Sequence, residues 1–165
     1  MPKMQWGFNN SVTYKDLELN VFIQGAHGNK VFNATYAAAA VPTSDVKFIN
    51  LADAANYWTP SNTGSTWANP ASKNKSWVES TQFLQNAGYV RLKNVSLSYQ
   101  LSQKWLKVAS AKLFISAQNL ATITKYKGFD PEATSTLAGS DTDAGIDLGA
   151  YPSPKTITVG LQVKF

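Results

Sequence analysis

The chain of 165 residues has no cysteine, one histidine and one arginine. Without cysteine there are no disulfides and no thiolate metal sites. His27 has neither a thiol nor a second imidazole beside it, so it makes a poor metal ligand and is assigned no chemistry. Charged residues make up only 15%, against roughly 25% in soluble domains. No run of about 18 apolar residues is present, which rules out a transmembrane helix. It does not rule out a transmembrane strand, which needs only about 10 alternating residues. The net charge is +5, but the lysines are scattered and Arg91 stands alone. Nucleic-acid binding concentrates its cations on one stripe, so no nucleic-acid partner is expected. The opening Met1-Pro2-Lys3-Met4 carries no leader pattern, so the chain is either cytoplasmic or a piece of something longer.

What the sequence does have is alternation. From Thr156 to Phe165, Ile157, Val159, Leu161, Val163 and Phe165 occupy one face of a strand, and polar residues or glycine the other. Trp6, Phe8, Val12 and Tyr14 share one parity, as do Leu17, Leu19, Val21 and Ile23, with Lys15-Asp16 as the break of a hairpin. Val95, Leu97, Tyr99 and Leu101 alternate with polar residues. Val90 and Leu92 are out of phase with them, which predicts a bulge near Lys93 or Asn94. Leu113, Ile115 and Ala117 face one way in a fourth strand.

Strands are therefore expected at about 4–14, 17–27, 89–101, 111–120 and 155–165, with long loops over 28–87 and 121–154. Short helices are expected at Asn29–Val41 and Leu51–Tyr57, and a turn at Gln103–Val108 carrying Trp105. Connections alternate short, long, short, long. Outer-membrane barrels do the same, with short periplasmic turns and long external loops. Five strands cannot close a barrel, and open edges are not tolerated in lipid. The expected fold is thus all-β: antiparallel strands forming the last five of a transmembrane β-barrel, with two long extracellular loops. Trp6, Phe8, Tyr14, Tyr99, Trp105 and Phe165 would contribute to its aromatic girdles.

Several motifs, in order, resemble the C-terminus of the SusC/RagA family of TonB-linked outer-membrane transporters. They are Tyr57-Trp58-Thr59-Pro60, the run Tyr89 to Tyr99, Ser116-Ala117-Gln118-Asn119-Leu120, Tyr126-Lys127-Gly128-Phe129-Asp130-Pro131-Glu132, and Tyr151 to Thr156. Lys155 stands where an arginine is common. The resemblance covers residues 1–165 and implies the C-terminal part of a 22-stranded TonB-dependent receptor barrel. It implies import of oligosaccharides or peptides across the outer membrane of a Gram-negative bacterium. The implied partners are a SusD-like surface lipoprotein, the TonB complex reached through regions outside this segment, and the barrel assembly machinery. Phe165, as a terminal aromatic on a closing strand, resembles the assembly signal of such barrels. An isolated piece would have free strand edges, which predicts dimers or aggregates in water.

Candidate ligand contacts are Tyr57, Trp58, Trp67 and Trp77 in the first long loop, because aromatic faces stack on sugar rings. A loop of that length also needs internal anchors, the more ordinary role for such residues. Asp141, Asp143 and Asp147 resemble part of a calcium loop but lack the closing glutamate, so they read as solvated acids. Glu18, Lys112 and Lys164 would line a lumen. Gly128 and Asp130 read as turn residues. No nucleophile–base pair or phosphate loop stands out, so no enzyme activity, metal or cofactor is expected. The alternative function is a soluble β-sandwich carbohydrate-binding module using the same tryptophans.

Overall fold

A computed structural model describes residues 2–40, 51–69, 71–72, 80–101, 110–132 and 145–164. The chain divides into two compact units. One unit holds Pro2–Asn29, Gly88–Lys125 and Ser153–Phe165, and is a five-stranded sheet. Its strands are β1 (Met4–Tyr14), β2 (Leu17–His27), β5 (Tyr89–Leu101), β6 (Ser110–Thr124) and β8 (Thr156–Lys164), in the order β1-β2-β5-β6-β8. Every neighbouring pair is antiparallel.

Period-two alternation becomes rows across this sheet, because residues paired across strands share a face. One row reads Val12, Leu19, Leu97, Ile115, Val159; the next reads Tyr14, Leu17, Tyr99, Leu113, Leu161. On the other face, Ser11, Asn20, Ser96, Ser116 and Thr158 line up. Lys93 is skipped in the pairing of β5 with both neighbours. That extra residue is the expected bulge, and it returns Leu92 and Val90 to the apolar face. Opposite it, Asn119 takes a left-handed conformation, φ 53°, which asparagine tolerates better than most residues. β6 runs to Thr124 rather than Leu120, because Thr122 to Thr124 pair with Arg91 to Tyr89.

The apolar face lies open. Ile157 and Val159 are each 67% exposed and Phe8 is 54% exposed. A sandwich would bury this face against a second sheet. Trp6 and Tyr14 are eight residues apart, about 27 Å along a strand. At a tilt of about 40° the apolar band would be about 20 Å tall, near the roughly 25 Å of a membrane barrel. Trp105 and Phe165 lie outside the described residues.

The second unit gathers the two long connections, Lys30–Ala87 and Tyr126–Pro152. It has its own three-stranded sheet, β4-β3-β7, built from β3 (Lys30–Asn33), β4 (Leu84–Asn86) and β7 (Ile146–Asp147). β3 pairs antiparallel with β4 and parallel with β7. The helix expected over Asn29–Val41 forms only at Ala34–Ala40 (α1). Residues 30–33 spend their backbone groups on the sheet instead, and Asn33 Oδ1 accepts a hydrogen bond from the Tyr36 amide at 2.8 Å, capping the helix start. The helix expected over Leu51–Tyr57 is a single 3-10 turn, Ala52–Ala55. The turn expected at Gln103–Val108 lies outside the described residues.

The alanine run explains the packing of this unit. Ala37 and Ala40, one turn apart on α1, are buried with Ala54 around Phe83, which is fully enclosed. Small side chains let Phe32, Tyr36 and Trp67 close around the same ring. Phe32 meets Phe83 edge-on at 6.5 Å and 80°, a favoured aromatic geometry.

Candidate functional site

The segment 56–67 is a tied loop carrying three of the four candidate aromatics, Tyr57, Trp58 and Trp67. Trp58 N–H donates to the Trp67 carbonyl at 2.8 Å. Asn62 Nδ2 donates to Asn56 Oδ1 at 2.7 Å and to the Tyr57 carbonyl at 3.0 Å. The Ser65 hydroxyl donates to the Asn56 carbonyl and accepts from the Trp67 amide. These bonds give Asn and Ser side chains the work of a sheet ladder within the loop.

The two tryptophans end up in different settings. Trp67 packs inward, its ring 6.2 Å from Tyr36 and 6.4 Å from Phe83. Trp58 is 43% exposed and borders a cleft of about 540 Å³ with Ala68, Asn69, Ala71 and Ser72. Among the described residues, no charged side chain lines this cleft. Tyr57 is half-buried and bridges to Trp67. Trp77 lies outside the described residues, as do Asp141 and Asp143.

Asp147 is no solvated acid. It is 2% exposed. Its carboxylate accepts from the Tyr126 hydroxyl at 2.5 Å, and from the Gly149 and Ala150 amides at 2.8 and 3.2 Å. Tyr126 is itself buried against Val31 and Ala87. Burial and the neighbouring carboxylate push its hydroxyl well above the usual tyrosine pKa, because ionising it would place two negative charges together without water. Gly128 makes this packing possible: a Cβ there would run into the Tyr126 ring. Asp130 is buried, with Oδ1 accepting from the Glu132 amide at 3.0 Å in an Asx turn.

A smaller cavity, about 180 Å³, lies beside α1, with Asn33, Tyr36, Lys127, Phe129 and Asp147 among its walls. Among the described residues Asn33 Nδ2 is buried without an acceptor, an arrangement that costs about 1–3 kcal/mol. Sequence reasoning passed over this group. Its only local sign is the dense motif Tyr126 to Glu132, which mixes aromatic, glycine and acidic residues over one short stretch.

In the five-stranded unit the polar face holds an ion pair, Lys112 Nζ to Glu18 Oε2 at 2.9 Å. Asn20 and Ser98 donate to the same carboxylate. Lys164 pairs with Ser110 and is not part of this pair. Arg91 is buried, its Nε donating to Thr122 Oγ1 at 2.9 Å.

No family model matches the chain. It is similar to TonB-dependent receptor P3 of Formosa agariphila, 35% identical over 99% of this chain and 16% of that protein. It is also similar to TonB-dependent receptor SusC of Bacteroides thetaiotaomicron, 26% identical over 96% of this chain and 15% of SusC. Among solved structures, the RagAB peptide importer in its closed-closed state matches with a TM-score of 0.82 and 27% identity, over 100% of this chain and 17% of that one. The chain thus spans about one sixth of the length of the relatives it matches.

Proposed function

We propose that this chain, a C-terminal segment of a SusC/RagA-like TonB-dependent transporter, supplies five adjacent strands and two external loops to an outer-membrane importer of oligosaccharides or peptides. One observation carries the reading: a single sheet whose apolar rows are exposed across all five strands, while the opposite face is polar. Water penalises such a face, whereas lipid solvates it. In this arrangement the polar rows face the lumen, with Glu18 and Lys112 on its wall. β1 and β8, each paired on one side only, continue into the rest of the barrel.

The substrate contact we assign to the tied loop is Trp58, with Tyr57 next to it in the chain, while Trp67 holds the loop in place; Trp77 remains a candidate contact from the sequence. A flat indole on a pre-ordered loop stacks on a sugar or peptide group without a large ordering cost. RagAB is a peptide importer, which supports the peptide branch; the lining of the Trp58 cleft, uncharged among the described residues, suits neutral sugars. The partners proposed are a SusD-like surface lipoprotein over the loops, the TonB complex acting through other parts of the receptor, and the assembly machinery at Phe165. The role is transport, not catalysis, in a Gram-negative outer membrane.

The test is an immunoblot of fractionated native cells with an antibody against residues 121–154. The reading expects an outer-membrane band near about 110 kDa (18.0 kDa divided by 16%). A soluble band near 18 kDa would overturn it.

A further inference from the structure

We propose that Asn62 is the positioning residue of the Trp58 cleft: it fixes the indole in place before the substrate arrives. The proposal rests on the reading above, in which Trp58 touches the substrate. An indole meets a ligand at little ordering cost only if the backbone beneath it is held. Tyr57, Trp58 and Thr59 set that backbone, and Asn62 ties the first and the last of them. Its Nδ2 donates to the Tyr57 carbonyl at 3.0 Å and to Asn56 Oδ1 at 2.7 Å. Its amide donates to the Thr59 carbonyl at 2.9 Å, and its carbonyl accepts from the Thr59 amide at 3.4 Å. The Trp58 amide, between them, donates to the Trp67 carbonyl at 2.8 Å. The bonds of Asn62 therefore grip the chain on both sides of the indole.

Asparagine suits this place. Thr59 to Asn62 form a turn with Pro60 at its second position, where the fixed φ of proline is favoured. The turn brings the short Asn62 side chain back to residues 56 and 57. Its amide nitrogen carries two hydrogens, one for each acceptor. The other lining of the cleft is tied separately. Asn69 Oδ1 accepts from the Ala71 amide at 2.8 Å, and the Asn69 carbonyl accepts from the Ser72 amide at 3.0 Å. A shift of the 57–59 backbone would thus move the indole relative to Ala68, Asn69, Ala71 and Ser72, which share the cleft. Asn56 is exposed and Asn62 half-buried, so water can take over the bonds that a substitution removes. Such a variant frees the loop and stays folded.

The experiment uses the intact receptor, purified in detergent. Isothermal titration is run with uncharged probes: maltotriose, cellotriose, xylotriose, mannotriose and acetyl-trialanine amide. For a probe that binds, Trp58→Ala should weaken binding about tenfold or more. Asn62→Ala should weaken it at least about threefold. Each lost hydrogen bond lowers the held population by a factor of about two to ten, and apparent affinity falls with the fraction held. Asn62→Asp keeps the shape but has no donors, so it should lose as much. In a Trp58→Ala receptor, adding Asn62→Ala should change binding by less than about twofold, because its effect runs through the indole. Hydrogen exchange gives a second readout. Amides of residues 57–62 should exchange faster in the free Asn62→Ala receptor than in the native one, and saturating probe should restore their protection. A merely structural defect would leave them fast. Native-like binding or native-like exchange in Asn62→Ala overturns the proposal. So does protection that the probe does not restore, or an equal loss of affinity with and without Trp58. Those outcomes leave the Trp58 contact standing. Native-like binding in Trp58→Ala, or no binding of any probe, retires that contact and this proposal together.

Discussion

Replacing Gly128 with alanine puts a methyl group inside contact distance of the Tyr126 ring and 2.6 Å from its hydroxyl oxygen. The ring has little freedom to retreat, being buried against Val31 and Ala87 with its hydroxyl tied to Asp147. If the ring stays, the cost is overpacking, about 1–3 kcal/mol. If it swings out, the unit loses the burial of a large side chain, about 1.5–3 kcal/mol. It also loses a hydrogen bond to an ionised acceptor, about 1.5–3 kcal/mol. The first route is cheaper. Alanine also restricts the unfolded chain, which offsets about 0.4–1 kcal/mol. The expected net loss is about 1–2 kcal/mol, confined to the unit that contains Tyr126. Native-state hydrogen exchange reads it at the Gly149 and Ala150 amides, which donate to Asp147. Their exchange should quicken by about 5- to 30-fold. In a Tyr126→Ala background the methyl group has no ring to meet, so the same substitution should change exchange little. An equal effect in both backgrounds would refute the argument.

Trp58→Ala should weaken substrate binding and leave loop exchange unchanged. Trp67→Ala should cost about 2–4 kcal/mol of local stability, seen as faster proteolysis of the 56–67 segment. Val159→Lys, in the middle of the apolar band, should cost about 2–4 kcal/mol in a bilayer and lower the amount of receptor recovered in outer membranes. Ser116→Lys, on the opposite face of the neighbouring strand, should be tolerated; equal tolerance of both would argue against lipid on the apolar face. Tyr126 ionises less readily folded than unfolded. Above about pH 10, the usual tyrosine pKa, the unfolded chain releases this proton while the folded unit retains it, so stability falls as pH rises. Amide exchange, corrected for its intrinsic pH dependence, should show that loss, and Tyr126→Phe should flatten it.

The alternation of residues determined the strands, because a side chain's face in a strand depends only on its parity. Val12, Leu19, Leu97, Ile115 and Val159 could be placed on one face before any fold was known, and the phase break at Lys93 announced the bulge. The unit built from the two long connections had no such local sign. β3 is four residues and β7 is two, too short for a period to show. Their parallel pairing joins Phe32 to Ile146, a contact between distant parts of the chain. The same limit applied to the candidate site. Trp58 and Trp67 are the same residue type in one polar loop, and only packing sends Trp67 against Phe83 and leaves Trp58 at a cleft. Asp147 looked like one acid among several until Tyr126 and two backbone amides closed on it. Parity is a property of the backbone and is written residue by residue. Which aromatic is buried and which carboxylate is enclosed depend on what the rest of the chain brings to that place, and only the tertiary structure decides that.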